Sequence, residues 1–265
     1  MLHKKNALKM NKNKIKLIDK YFYHKDNTGE KFLGYNGFKR LKFNNYQLIT
    51  ILNSFLEIEN RKKQNTFGLF GITTKINKTF GKKNQLNNVF VLENYIFPNK
   101  RKSLASYYMF LAKEESNILA INYFAENLYK KYLKLNSFYK FDYIGFLESS
   151  NKNRKIQIMD IIKKYFLEKI NLDKTKLLEI KKSDNYLEQK KIFNLEGRIE
   201  NARNSFEVGK IEKENSNILL IDDVIDSGAT LNSIATKIKE NNKVNQIIGL
   251  GGIGSLKGII KITDI

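Results

Sequence analysis

Apolar residues recur along this chain in two rhythms, and the change from one to the other divides it. The first 20 or so residues are polar, lysine-rich and weakly periodic, which predicts a frayed or weakly helical arm. In "GEKFLGYNGFK" spaced glycines predict turns between short extended pieces. Between Asn45 and Glu59 the apolar positions Leu48, Ile51, Leu52 and Phe55 fall on one helical face. "TFGLFGI" and "VFVLENYIF" read as strands, the second running up to the single proline, Pro98.

After Pro98 the polar stretch "NKRKS" predicts a boundary near residue 100, and the elements beyond it are longer and better periodic. Ile118, Ile121, Ala125, Leu128, Tyr129 and Tyr132 mark one helix; Ile158, Ile161, Ile162, Tyr165 and Phe166 mark another. Residues 141–147, "FDYIGFL", form an apolar run of strand length, followed by polar "ESSNKNRK". "KLLEI", "NILLI" and "VNQIIGL" read as further strands, and "ATLNSIATKIKE" as a helix. Strands alternating with helices predict an α/β fold, a parallel sheet with helices on both faces. That domain would span residues 101–265, preceded by a smaller α+β region, residues 1–100.

Composition narrows the chemistry. The chain has no cysteine and two histidines, His3 and His24, so thiolate and histidine-rich metal sites are excluded. No apolar run approaches the roughly 20 residues that span a bilayer, and the amino terminus lacks the apolar stretch of a signal peptide. We therefore expect a cytoplasmic protein with no membrane partner. The net charge is +21, and it is uneven: residues 1–100 carry 20 Lys and Arg against 6 Asp and Glu. A basic amino-terminal region of that kind suits the phosphates of a nucleic acid, although lysine also fills ordinary solvated positions.

In so basic a chain, "NILLIDDVIDSGATLNSIA" at 217–235 places Asp222 and Asp223 directly behind four apolar residues. Ligands of parallel sheets bind beyond the carboxyl ends of the strands, where such a pair would lie. The following "DSGATL" is small, hydroxyl-bearing and glycine-containing, which suits a turn whose N–H groups converge on a phosphate at a helix start. Carboxylates for hydroxyls beside amides for a phosphate suit a phosphorylated sugar. Other phosphate motifs fail: Gly81-Lys82 and Gly209-Lys210 lack the Ser or Thr of a P-loop. "GLGGIG" at 249–254 leaves too little chain for a dinucleotide fold and reads as a turn or a close backbone approach.

"ILLIDDVIDSGATL" resembles the phosphoribosyl-pyrophosphate motif of type I phosphoribosyltransferases, and Gln189, Ile192, Arg198, Asn201 and Phe206 are similar to the pattern of their ComF branch. The likeness is firm over about 183–240 and looser back to about 105, where Gln157 aligns; residues 1–100 match no known pattern. It implies a type I phosphoribosyltransferase-like sheet, and Mg²⁺ held through substrate oxygens with no metal site of the protein's own. The substrate would be phosphoribosyl pyrophosphate or a nucleoside monophosphate. Asp222 and Asp223 would bind the ribose hydroxyls, Ser227, Gly228, Ala229 and Thr230 the 5′-phosphate, and Asp226 would serve as general acid or base. Ser149 and Ser150 would face the diphosphate, with Arg198, or Arg203, neutralising it from a flap. Three departures stand out. The branch's amino-terminal cysteine pairs are missing, and Asp226 replaces its usual Thr, as in purine-salvage relatives. "NRKIQ" at 153–157 replaces the expected Arg-Gly-Phe-Asn-Gln. A non-catalytic sensor or nucleic-acid binder of the ComF type, in DNA uptake or defence, is the alternative; a homodimer stays open.

Overall fold

A computed structural model of the chain describes residues 12–22, 48, 49, 52, 67–94, 104–148, 155–183, 197, 200, 201 and 204–254. The chain divides into two compact units, Met1–Gln64 and Asn65–Ile265. The boundary thus falls at 64/65 rather than near residue 100, because residues 70–94 supply strands to the sheet of the second unit.

In the first unit, α1 (Lys12–Phe22) is a helix with Ile18 buried, where a frayed or weakly helical arm was expected. Leu48 and Leu52 are helical and buried, as the periodicity there predicts, and Ile49, off the predicted face, is buried too. The rest of that expected helix and the glycine-spaced turns lie outside the described residues.

The second unit is built on a six-stranded sheet. Its strands are β1 (Phe70–Gly71), β2 (Asn88–Asn94), β3 (Tyr143–Phe146), β4 (Lys176–Leu178), β7 (Ser216–Ile225) and β8 (Val244–Gly254). They lie in the order β1-β2-β8-β7-β3-β4. All neighbours are parallel except β1, which pairs antiparallel with β2. Strands buried on both faces read as continuous apolar runs, and Ile218 to Ile221 of β7 are accordingly fully buried. The expected strand at "KLLEI" splits: β4 joins the sheet, while β5 (Ile180–Lys182) pairs antiparallel with β6 (Phe206–Val208) in a separate ribbon.

Helices cover both faces. One face carries α3 (Leu104–Glu114), α4 (Ile118–Tyr139) and α5 (Ile158–Leu167). Asn117 caps α4, its side chain accepting from the amides of Leu119 and Ala120, both at 3.1 Å. The α4 face of Ile121, Ala125, Leu128 and Tyr132 is buried as the spacing predicts, whereas Ile118 stays exposed. Phe166 of α5 packs edge-on against Phe146 of β3, with ring centroids 5.3 Å apart. The other face carries α2 (Thr73–Phe80) and α6 (Ala229–Asn241), whose Ile76, Phe80, Leu231 and Ile234 share a core with Val89, Ile218 and Leu220. Among the described residues no helix is long and apolar enough to cross a membrane.

Two helices were not legible. "TFGLFGI" contributes only the two residues of β1, and the chain then turns into α2. There the Thr73 hydroxyl accepts from the Val89 amide at 2.9 Å and ties the start of α2 to β2. In α3 the apolar residues run almost all round, so no single face announces it.

Candidate functional site

Two chain crossings leave the sheet in opposite directions. From β3 the chain passes through α5 to β4 on one flank, and from β7 through α6 to β8 on the other. The loops beyond β3 and β7 therefore diverge, and such a switch point is where open α/β sheets build their binding crevices. The end of β7 holds the acid pair, and the segment after it holds the glycine turn.

The acids do not open a loop, as the sequence suggested, but lie within β7. Its pairing with β3 ends at Phe146↔Ile221, whereas its pairing with β8 continues to Ile225↔Gly254. Asp222 and Asp223 thus stand just past the end of β3. Strand alternation sends their side chains to opposite faces. Asp223 points to the α3 face, where the ammonium of Lys113 sits 3.1 Å from its Oδ2, with both side chains nearly buried. Asp222 continues the row of Ile218 and Leu220 toward the α2 and α6 face, and its Oδ1 accepts from the Asp223 amide at 2.8 Å. Burial first, and then the Asp223 carboxylate, push the Asp222 carboxyl up to about 8, against the opposing pull of Lys113. Glycine meets this pair from β8: Gly251 is the register partner of Asp222, and a Cβ on Gly252 would lie 2.8 Å from the Asp223 carbonyl oxygen. "GLGGIG" is therefore strand rather than turn, and its glycines serve the close backbone approach that the sequence offered as the second explanation.

Gly228 turns the chain from β7 into α6. It adopts φ +79°, the left-handed conformation that glycine tolerates, and caps the helix with its backbone. A Cβ at this position would overlap the Cδ1 of Ile76 on α2. The Ser227 hydroxyl accepts from the Ala229 amide at 3.2 Å, and the Asn232 amide donates to the Gly228 carbonyl at 2.9 Å. Ser227 thus braces the turn locally, and Asp226 to Thr230 lie at the positive end of the α6 dipole.

Segment 72–87 walls this turn from behind. Lys75 of α2 is buried and donates its ammonium to the Asp226 carbonyl. Burial holds the Lys75 amine below the ordinary lysine range, partly offset by the Asp226 carboxylate. Buried Asn232 of α6 accepts from the Gln85 amide at 2.7 Å and donates to the Lys83 carbonyl at 3.2 Å. The site therefore gathers Asp222, Asp223, Asp226, Ser227, Gly228, Ala229 and Thr230 on one β7 to α6 segment. Ser149, Ser150, Arg198 and Arg203 lie outside the described residues. Lys75 and Lys113 were missed. Among 48 Lys and Arg nothing in the local sequence marks these two, since each is singled out only by what it packs against.

No protein-family model and no curated protein matches the chain. Among solved structures, a hypoxanthine phosphoribosyltransferase from Staphylococcus aureus is similar over 53% of this chain and 70% of that one, at 14% identity and a TM-score of 0.31. A likeness that slight does not carry a fold name across.

Proposed function

We propose that the chain is a phosphoribosyltransferase, which binds phosphoribosyl pyrophosphate with Mg²⁺ and exchanges its diphosphate for a nitrogenous base. The observation that carries this reading is the union, at the switch point of a parallel sheet, of an acid pair with a glycine turn at a helix start. These two features match the two ends of a phosphorylated ribose. Asp222 and Asp223 hydrogen-bond the ribose hydroxyls, and the Asp223 carboxylate sets negative charge against the cation-like sugar that forms as the C1′–diphosphate bond breaks. The amides of 227–230 hold the 5′-phosphate, aided by the α6 dipole. Asp226, at the head of the turn, takes or gives the proton of the base nitrogen as that nitrogen bonds to C1′.

Among the described residues no cluster of three or more His, Cys, Asp or Glu could hold a metal ion by itself. An acid pair with one member engaged by Lys113 fits Mg²⁺ bound mainly through substrate oxygens, where the ion would neutralise the departing diphosphate. Calorimetric titration of phosphoribosyl pyrophosphate with Mg²⁺ tests the reading. Wild type is expected to bind and Asp222→Asn/Asp223→Asn to bind far more weakly. Wild type that neither binds nor shows a thermal shift ends the proposal.

A second reading, a non-catalytic sensor of the same ligand that also holds nucleic acid, is favoured by the altered diphosphate loop at 153–157 and by the 20 to 6 excess of bases over acids in residues 1–100. Ligand binding without turnover against any base, together with salt-dependent DNA or RNA binding, would select it. Nucleic-acid binding that is absent or indifferent to salt would remove it.

A further inference from the structure

Lys75 lies in a segment the phosphoribosyl motif does not include, yet its side chain ends at the turn that the motif encodes. It is only 8% exposed, and among the described residues the carbonyl of Asp226 is the hydrogen-bond partner of its ammonium. A buried ammonium is costly unless opposing charge and hydrogen bonds compensate it. A neutral carbonyl supplies one acceptor and leaves the other N–H groups of the amine to be satisfied. Asp226 contributes attraction as well, but burial outweighs it. An anion seated on the amides of the adjoining turn would supply both the charge and the acceptors.

The rest of segment 72–87 explains why the lysine is held there. Ile76, the next residue, fills the space that a side chain on Gly228 would need. Asn232 fastens Lys83 and Gln85 to α6. The wall and the turn are thus packed together, and Lys75 reaches the turn from a helix that this packing holds in place.

We propose that Lys75 is a ligand-binding residue of this site, its ammonium joining the 227–230 amides on the 5′-phosphate of the sugar. The assignment rests on the phosphoribosyl reading and adds to it a cation from outside the motif. The site would then discriminate for a phosphate monoester dianion over an unphosphorylated sugar by charge as well as by amide geometry.

The test titrates ribose 5-phosphate, and separately phosphoribosyl pyrophosphate with Mg²⁺, into the full-length wild type, Lys75→Gln and Lys75→Arg, with thermal unfolding of each protein alongside. Lys75→Gln keeps a donor for the Asp226 carbonyl but removes the charge, and should weaken both ligands at least about tenfold, as the loss of one charge-assisted hydrogen bond does. Lys75→Arg should recover most of that loss. Wild type that binds while Lys75→Gln binds within about twofold of it overturns the assignment and leaves the phosphoribosyl reading standing. So does a loss that arginine fails to recover, since a packing role does not track charge. Wild type that binds neither ligand removes the phosphoribosyl reading, and the assignment with it. Should Lys75→Gln fail to fold, NMR of isotope-labelled wild type, read at the Lys75 side chain, replaces it. Saturating ribose 5-phosphate is expected to shift the Lys75 ammonium resonance, and an unchanged resonance overturns the assignment.

Discussion

Replacing Gly228 by alanine tests whether the turn is held in place by its backbone and by the wall behind it. Two costs add. At φ +79° an alanine pays roughly 1–2 kcal/mol for the left-handed conformation. Its Cβ would also overlap the Cδ1 of Ile76, which is fully buried, so overpacking adds roughly 1–3 kcal/mol. Together they predict a loss of about 3 kcal/mol. For a unit of this size that lowers the melting temperature by roughly 6–12 °C. Urea unfolding of wild type, Gly228→Ala, Ile76→Val and the double variant separates the two costs. Ile76→Val alone should destabilise by about 1 kcal/mol, but in the Gly228→Ala background it removes the overlapping methyl and should cost nothing or recover stability. A Gly228→Ala variant within about 0.5 kcal/mol of wild type would refute the reasoning. An Ile76→Val effect equal in both backgrounds would refute the overlap in particular.

Other consequences follow from the acid pair and the wall. The Asp222 carboxyl is raised, so the folded protein holds a proton that the unfolded chain has released. Its contribution therefore favours the fold at low pH and is lost as pH rises from about 4 to about 8, at no more than about 1.4 kcal/mol per pH unit. Stability curves of wild type and Asp222→Asn should diverge over that window, and parallel curves would exclude the shift. Lys113→Met leaves the nearly buried Asp223 without its cation and should cost about 3 kcal/mol in chemical denaturation, a loss that Asp223→Asn in the same chain largely recovers. Asn232→Ala strips partners from the Gln85 amide and the Lys83 carbonyl and should cost about 2 kcal/mol, with faster amide exchange at Gln85 as the local signature.

Strands and helices whose burial is simple were legible in the residue pattern. β3 and β7 are short apolar runs because both faces of a parallel strand are covered, and α4 and α5 show an apolar stripe because each keeps another face toward solvent. The candidate turn was legible for a related reason. Acids behind a buried strand and a glycine before a helix are local requirements, met by adjacent residues, and Gly228 does take the left-handed conformation. Features set by partners distant in sequence were not legible in this way. Residues 70–94 belong to the sheet because β2 finds β8 more than 150 positions later, a pairing that no local pattern encodes. The strand expected at "TFGLFGI" gave way to α2 because that segment is needed as a wall against α6. β7 carries its acids beyond Ile221 because its neighbour on one side stops there while the other continues. Above all, a lysine's chemistry depends on what surrounds it. Lys75 and Lys113 read like the other basic residues of the chain until folding buries one at the Asp226 carbonyl and the other at Asp223. Periodicity reports which face is buried, whereas charge acquires its role only from the groups that packing brings beside it.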